Sequence, residues 1–123
     1  MEEDSSQLCL VIEYADDKDL YQKLSRRSAK DDFLKEDDIW YIFLQLLKGL
    51  KALHDLRIMH RDLKSANVFM NADLTVKLGD MNVSRIADAN GLNYTQTGTP
   101  YYASPEVWKD KPYDFKNDIW SMG

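Results

Sequence analysis

Between Glu36 and Asp55 the apolar residues Ile39, Ile42, Leu46, Leu50 and Leu53 recur every three or four positions, while Asp38, Gln45, Lys48 and Asp55 fall on the other side. That spacing lays one apolar stripe along a helix, and such a stripe is stable only where other parts of the chain cover it. Glu36, Asp37 and Asp38 occupy the first turn, where the helix dipole stabilises negative charge by roughly 0.3–1 kcal/mol each. The chain is therefore expected to build a domain around this long core helix.

The pieces on either side are short. Leu8-Cys9-Leu10-Val11-Ile12 is an unbroken apolar run with the length of a buried strand, ended by the charged and turn-prone stretch 13–18. A buried strand needs neighbours, and nothing before residue 8 supplies them, so the sequence is expected to open inside a sheet whose other strands are absent. Asp19 to Arg27 reads as a short helix, with Asp19 near its start and Arg26 and Arg27 in its last turn, both favourable to the dipole. Val68-Phe69-Met70 and Thr75-Val76-Lys77-Leu78 flank the turn-forming Asn71-Ala72-Asp73 and predict a hairpin. Residues 84–104 carry Asn, Thr, Tyr, Gly and Ser without a sustained period, which predicts a long loop, and loops of that length usually carry function. A new apolar segment opens over 118–123. Helices and short strands in this order give an α+β fold.

Composition narrows the function classes. With 44% hydrophobic and 30% charged residues the chain suits one globular domain rather than a disordered one. A net charge of −5 argues against nucleic-acid and anionic-membrane binding, because phosphate surfaces demand clustered Lys and Arg. The single cysteine, Cys9, can make neither an internal disulfide nor a Cys-based zinc cage, suits a reducing compartment, and reads as an inert strand residue. The acidic start Met1-Glu2-Glu3-Asp4 is unlike a signal peptide and the apolar runs are short, so an intracellular, cytoplasmic protein is expected.

The chemistry concentrates in His60-Arg61-Asp62-Leu63-Lys64-Ser65-Ala66-Asn67, followed thirteen residues after Asn67 by Asp80. Phosphoryl transfer from a nucleotide asks a protein for placement and charge neutralisation more than for covalent help. A carboxylate must take the proton of the incoming hydroxyl, a carboxylate and an amide oxygen must hold magnesium, and a cation must face the transferring group. Asp62, Asp80, Asn67 and Lys64 are four groups of those types, and a loop between a long helix and a hairpin would bring them together.

This segment resembles the catalytic loop of the eukaryotic protein kinases. The resemblance runs the length of the chain. Residues 8–15 are similar to the last strand of the small lobe and the hinge, and 39–56 to the central helix of the large lobe. Gly98-Thr99-Pro100-Tyr101-Tyr102-Ala103-Ser104-Pro105-Glu106 resembles the end of the activation segment, and Asp118-Ile119-Trp120-Ser121-Met122-Gly123 the start of the helix that anchors the catalytic loop. Lys64 together with Gly98-Thr99-Pro100 matches the serine/threonine type. Glu13-Tyr14-Ala15-Asp16, Asp19-Leu20 and the Tyr-Tyr-x-Ser-Pro-Glu form look most like the NIMA-related kinases.

The resemblance implies a two-lobed fold, of which 1–123 would be a partial domain: last small-lobe strand and hinge over 1–18, first half of the mainly helical large lobe over 19–123. It implies transfer of the terminal phosphoryl of magnesium ATP to a serine or threonine hydroxyl of a protein substrate. Asp62 would be the catalytic base, with Lys64 beside the transferred group and Asn67 and Thr99 among the catalytic residues. Asn67 and Asp80 would be the magnesium ligands. The backbone of Glu13 and Ala15 would bind adenine, with Ile12 as gatekeeper, Phe69 as floor and Asp19 at the ribose. Arg61 next to Asp62 marks the kinases switched by phosphorylation, with Thr95 as the expected site, Thr97 as the second, and an upstream or autophosphorylating kinase as the agent. His60, Met81, Glu106 and Asp118 would be structural. Association with the cytoskeleton or cilium is a further family expectation.

Asp80-Met81-Asn82 stands where the family has Asp-Phe-Gly. Met81 is expected to fill the apolar slot and Asn82 to take the left-handed backbone, with a narrower conformational range as the consequence. A glycine-rich loop, an Ala-x-Lys strand and the helix bearing the partner glutamate are absent from these residues, and Glu106 would meet an arginine beyond residue 123. About half of a catalytic domain buries too little apolar surface to offset chain entropy, so the isolated chain is expected to be unstable. A non-catalytic pseudokinase or truncated fragment acting as a binding module is the alternative. A magnesium-dependent phosphatase built on Asp62 and Asp80 would leave Lys64 and 98–106 without a role. His54 reads as a surface residue, and Trp40, Trp108 and Trp120 as packing.

Overall fold

The computed structural model describes residues 9, 11–87, 91–93 and 98–123. Its elements are α1 (Leu20–Ser28), α2 (Glu36–Asp55), β1 (Ile58–Met59), β2 (Val68–Met70), β3 (Val76–Leu78), β4 (Arg85–Ile86), α3 (Pro105–Trp108) and α4 (Lys116–Met122). The architecture is α+β, with two small antiparallel sheets beside the helices.

Helix α2 runs over the residues that the periodicity predicts, and its stripe at Ile42, Leu46 and Leu50 is buried. Ile42 and Leu46 form a core with Val68 and Met70, and Leu20, Leu34, Leu74, Val76, Leu78 and Met122 pack against it. Ile39, at the helix start, remains half exposed. Gln45 differs from its expected solvent-facing place. Its side chain accepts from the Val76 N–H at 3.2 Å and donates to the Leu74 carbonyl at 3.1 Å, fastening the hairpin tip to the helix. The reason is that the hairpin packs against α2 there, so a polar residue beside the stripe finds backbone rather than water.

Strands β2 and β3 pair antiparallel, Val68 opposite Leu78 and Met70 opposite Val76. The turn between them is closed by the Asn71 N–H to the Thr75 carbonyl at 2.9 Å. Residues 16–19 run along the other side of β2, with the Asp17 N–H donating to Met70 O at 2.9 Å and the Met70 N–H to Lys18 O at 2.8 Å. Asp19 then caps α1, accepting from the Gln22 N–H at 2.8 Å.

Three expectations are corrected. Of the run 8–12, Cys9, Val11 and Ile12 are described, and none is in a strand. Val11 is 98% and Ile12 76% exposed, and Cys9 is exposed with a free thiol. No described strand lies beside them to take their backbone groups, and strand propensity without a partner does not make a strand. The stretch 84–104 is not loop throughout. β4 pairs with β1, Ile58 opposite Ile86, a single tight turn spans Pro100–Tyr102, and Asn93 and Tyr113 exchange two backbone hydrogen bonds at 2.8 and 3.0 Å. Two-residue strands are too short to leave a period. Trp108 and Trp120 are each more than half exposed rather than packed, while Trp40, also more than half exposed, meets the Phe43 ring edge to face at 6.0 Å. Among the described residues no helix is long and apolar enough to cross a membrane.

Candidate active site

The loop 60–67 joins β1 to β2, and α4 shapes it from below. Asp118 is 1% exposed, and such a carboxylate is tolerable only when donors surround it. Its Oδ2 accepts from the His60 N–H at 2.9 Å and its Oδ1 from the Arg61 N–H at 2.8 Å. Arg61 sits at φ 67°, a left-handed conformation that costs an L residue about 1–2 kcal/mol. The grip of Asp118 holds it there.

His60, fully buried, ties the loop to the end of β3. Its Nδ1 accepts from the Asp62 N–H at 3.3 Å, which leaves Nε2 to donate to the Gly79 carbonyl at 3.1 Å. The Gly79 N–H in turn reaches the Asn67 carbonyl at 3.0 Å. Gly79 is needed for a close approach, because a Cβ there would stand 2.5 Å from the Phe69 ring.

Asp62 is the hub of the polar cluster. Its Oδ1 accepts from the Thr99 N–H at 2.8 Å and the Thr99 hydroxyl at 2.7 Å. Its Oδ2 accepts from Lys64 Nζ at 2.8 Å and Asn67 Nδ2 at 3.0 Å. Lys64 Nζ also donates to Thr99 Oγ1 at 2.8 Å, closing a ring of three side chains. Burial pushes the Asp62 carboxyl upward, but hydrogen bonds from Lys64 and Thr99, the Lys64 charge and the Asn67 amide outweigh it and hold the pKa below the usual carboxylate value. Asp62 is thus a carboxylate that favours its ionised form, presented by a loop whose backbone is fixed at His60 and Arg61.

Asn67 Nδ2 also donates to the Asp62 carbonyl at 2.9 Å, which turns the amide oxygen away from Asp62. Asp80 follows the doubly tethered Gly79, adopts φ 55° and exposes its carboxylate. An amide oxygen and a carboxylate are hard donors suited to magnesium, which binds through one or two protein oxygens and keeps other positions for water and phosphate. Among the described residues no group of three or more Asp, Glu, His or Cys could hold a metal.

Phe69 points away from the core face of β2 and lies on Gly79, 38% exposed, with Asp19 bridged to it across the backbone. Glu13 pairs with Lys77 at 3.1 Å, which keeps residue 13 beside the hairpin. Ile12 is largely exposed and Ala15 half-buried. Arg61 donates from Nε to Val83 O at 2.6 Å, while its Nη1 is buried without a partner among the described residues. Thr95 and Thr97 lie outside the described residues. Glu106 is half-buried in α3, and among the described residues no cation lies within ion-pair reach of it. The Asp80-Met81-Asn82 expectations are corrected: the left-handed residue is Asp80, not Asn82, because 81–84 fold into a turn closed by the Ser84 N–H to the Met81 carbonyl at 3.0 Å. Met81 is 39% exposed, with its sulfur 3.4 Å from the Ser84 hydroxyl, rather than seated in an apolar slot.

One residue was missed from sequence. His54 is not a free surface residue; its Nε2 meets Asp118 Oδ2 at 2.8 Å. The two are 64 positions apart and nothing in their spacing announces the contact.

The sequence matches the protein kinase domain over residues 1–123. It is 40% identical over 122 residues to the serine/threonine-protein kinase Nek1 of Mus musculus, covering 98% of this chain and 10% of that protein. Nek5 of Mus musculus is 42% identical over 123 residues, covering 98% and 19%. Nek11 of Homo sapiens is 44% identical over 115 residues, covering 93% and 18%. The chain spans a tenth to a fifth of the length of these relatives.

Proposed function

We propose that this chain, which belongs to the protein kinase domain family, carries the phosphoryl-transfer centre of a serine/threonine protein kinase of the NIMA-related type. The observation that supports it most is the Asp62–Lys64–Thr99 ring, in which an ionised carboxylate, a cation and a hydroxyl meet at 2.7–2.8 Å. In this reading Asp62 takes the proton of a serine or threonine hydroxyl as its oxygen bonds to the terminal phosphorus of ATP and the bond to the departing diphosphate breaks. Lys64 supplies positive charge beside the transferred group, and Thr99 keeps both side chains aligned. Asn67 and Asp80 would hold magnesium, which when bound neutralises charge on the phosphate oxygens. The outward face of the hairpin, with Phe69 and Asp19, together with the backbone of Glu13 and Ala15 and the gatekeeper Ile12, would receive the nucleoside. An intracellular location remains part of this reading.

The same reading makes Thr95 the activating phosphorylation site and Arg61 its partner. A buried guanidinium nitrogen with no described partner supports it, since burying a donor unpaired costs about 1–3 kcal/mol that an anion would relieve. The test is phosphotransfer to a serine/threonine protein substrate by a catalytic domain containing this chain, beside its Asp62→Asn variant. Transfer that the variant loses is the expected result. Nucleotide binding without any transfer by the parent would replace this reading with the non-catalytic binding module.

A further inference from the structure

We infer that residues 69 and 79 are a size-matched pair, in which the missing side chain of Gly79 sets how far the Phe69 ring stands out into the space for the nucleoside, and hence the depth of that space. The inference rests on the reading of the outward hairpin face as the nucleoside site. A Cβ on Gly79 would lie 2.5 Å from Phe69 Cε2 and 2.7 Å from Cδ2, closer than side chains approach one another. The backbone of Gly79 does not itself demand glycine, because Gly91 and Gly98 have positive φ and Gly79 does not. The ring alone excludes a side chain there.

Which part yields to an added methyl follows from what is tied down. Gly79 is fastened on both sides, its N–H to Asn67 O at 3.0 Å and its carbonyl to His60 Nε2 at 3.1 Å. Phe69 is fastened too, since it stands opposite Lys77 in the hairpin while Asp19 is bridged to it on the other edge of β2. Neither backbone is free to retreat, so the methyl must turn the ring away from its present rotamer. The opposite face of β2 is filled by the buried Val68 and Met70, and the partly exposed ring has its open side away from them. A ring turned that way makes the slot for a flat heterocycle shallower. Asp62, Lys64 and Thr99 bond to one another rather than to this pair, so nucleotide binding is the quantity that changes, more than turnover.

The experiment is a double-mutant cycle of Gly79→Ala and Phe69→Val in a catalytic domain containing this chain. Valine lacks both ring atoms that the methyl would strike. The readouts are the Kd for ADP by titration calorimetry, KM for ATP beside kcat, and the melting temperature. Gly79→Ala alone is expected to raise the Kd for ADP and the KM for ATP about tenfold, with kcat at saturating ATP within about threefold of the parent. In the Phe69→Val background the same change is expected to move the Kd by less than about twofold, whatever Phe69→Val costs on its own. Unchanged ADP affinity in Gly79→Ala would overturn the inference. So would an equal loss in both backgrounds, which would assign the effect to the backbone at 79 and 80 rather than to the ring. Should Gly79→Ala alone not fold, the doubly substituted protein is expected to fold, and its failure would overturn the pairing. A parent that binds no ADP would sink the reading of the hairpin face as the nucleoside site. The melting temperature would still decide the pairing, since Gly79→Ala must lower it in the parent and leave it unchanged beside Phe69→Val.

Discussion

The Gly98 backbone lies directly against the carbonyl of Arg61, so that a Cβ built on Gly98 would overlap the Arg61 oxygen. Gly98 also sits at φ 102°, where L residues are strained. These two conditions place the Thr99 N–H on Asp62 Oδ1. Gly98→Ala must push the segment off the loop, because backbone rather than a flexible side chain blocks the new methyl. A hundredfold or greater fall in kcat is expected, with a melting-temperature loss corresponding to about 1–3 kcal/mol. Steady-state phosphotransfer and a thermal melt check both.

Asp62 gives a pH dependence of defined sign. Its folded pKa lies below the ordinary 3.8, so ionisation contributes stability above about pH 4, and that contribution is lost as the pH falls through the folded value. Asp62→Asn removes the titration. The stability gap between parent and variant is expected to be widest near neutrality and to narrow on acidification below about pH 4. Denaturant midpoints over that range test it, and a gap independent of pH would contradict the ionised ring.

Thr99 separates its hydroxyl from its backbone. Thr99→Ser keeps the bonds to Asp62 Oδ1 and Lys64 Nζ, whereas Thr99→Val keeps the shape and the N–H but loses both hydroxyl bonds. We expect the Val variant to lose about tenfold or more in kcat and the Ser variant to stay within a few-fold of the parent. Equal activity of the two would leave only the backbone N–H as the useful group.

How much of this was legible in the sequence follows from the range over which each signal acts. The α2 stripe and the Asp19 cap are local patterns, and both elements fall where spacing and capping place them. Asp62, Lys64 and Asn67 lie within one short loop, so their convergence is also close to local. Thr99 meets Asp62 across 37 positions and was reached only through resemblance, not through spacing. His54 to Asp118 and Gln45 to Leu74 and Val76 had no signal, because a polar residue beside a helix stripe looks the same whether water or buried backbone lies opposite. The apolar run ending at Ile12 failed for the opposite reason: its local signal is strong, but strands are made by partners.

Asp80 and Asn67 make a metal expectation that differs from that of the ring. Asp80→Asn keeps the polar surface but removes one negative hard donor of the kind magnesium prefers. The magnesium concentration for half-maximal activity is expected to rise about tenfold or more, and binding of a paramagnetic manganese probe to weaken in parallel. Thr99→Ser should change neither.

The last expectation concerns Arg61, whose Nε is engaged by Val83 O at 2.6 Å while Nη1 is buried without a described partner. A fork already held at one nitrogen is preorganised to receive an anion at the other, so little side-chain entropy remains to be lost when phosphate arrives. Arg61→Lys keeps the charge but cannot bond Val83 and a phosphate in the same planar geometry. In a catalytic domain containing this chain, phosphorylation at Thr95 is expected to raise activity at least tenfold and to slow proteolysis across 88–97. Arg61→Lys should lose most of that gain while leaving the unphosphorylated rate nearly unchanged. Thr95→Ala with full activity and unaltered protease protection would refute the pairing, and the same experiment on Thr97→Ala would show whether the phosphate sits two residues further on.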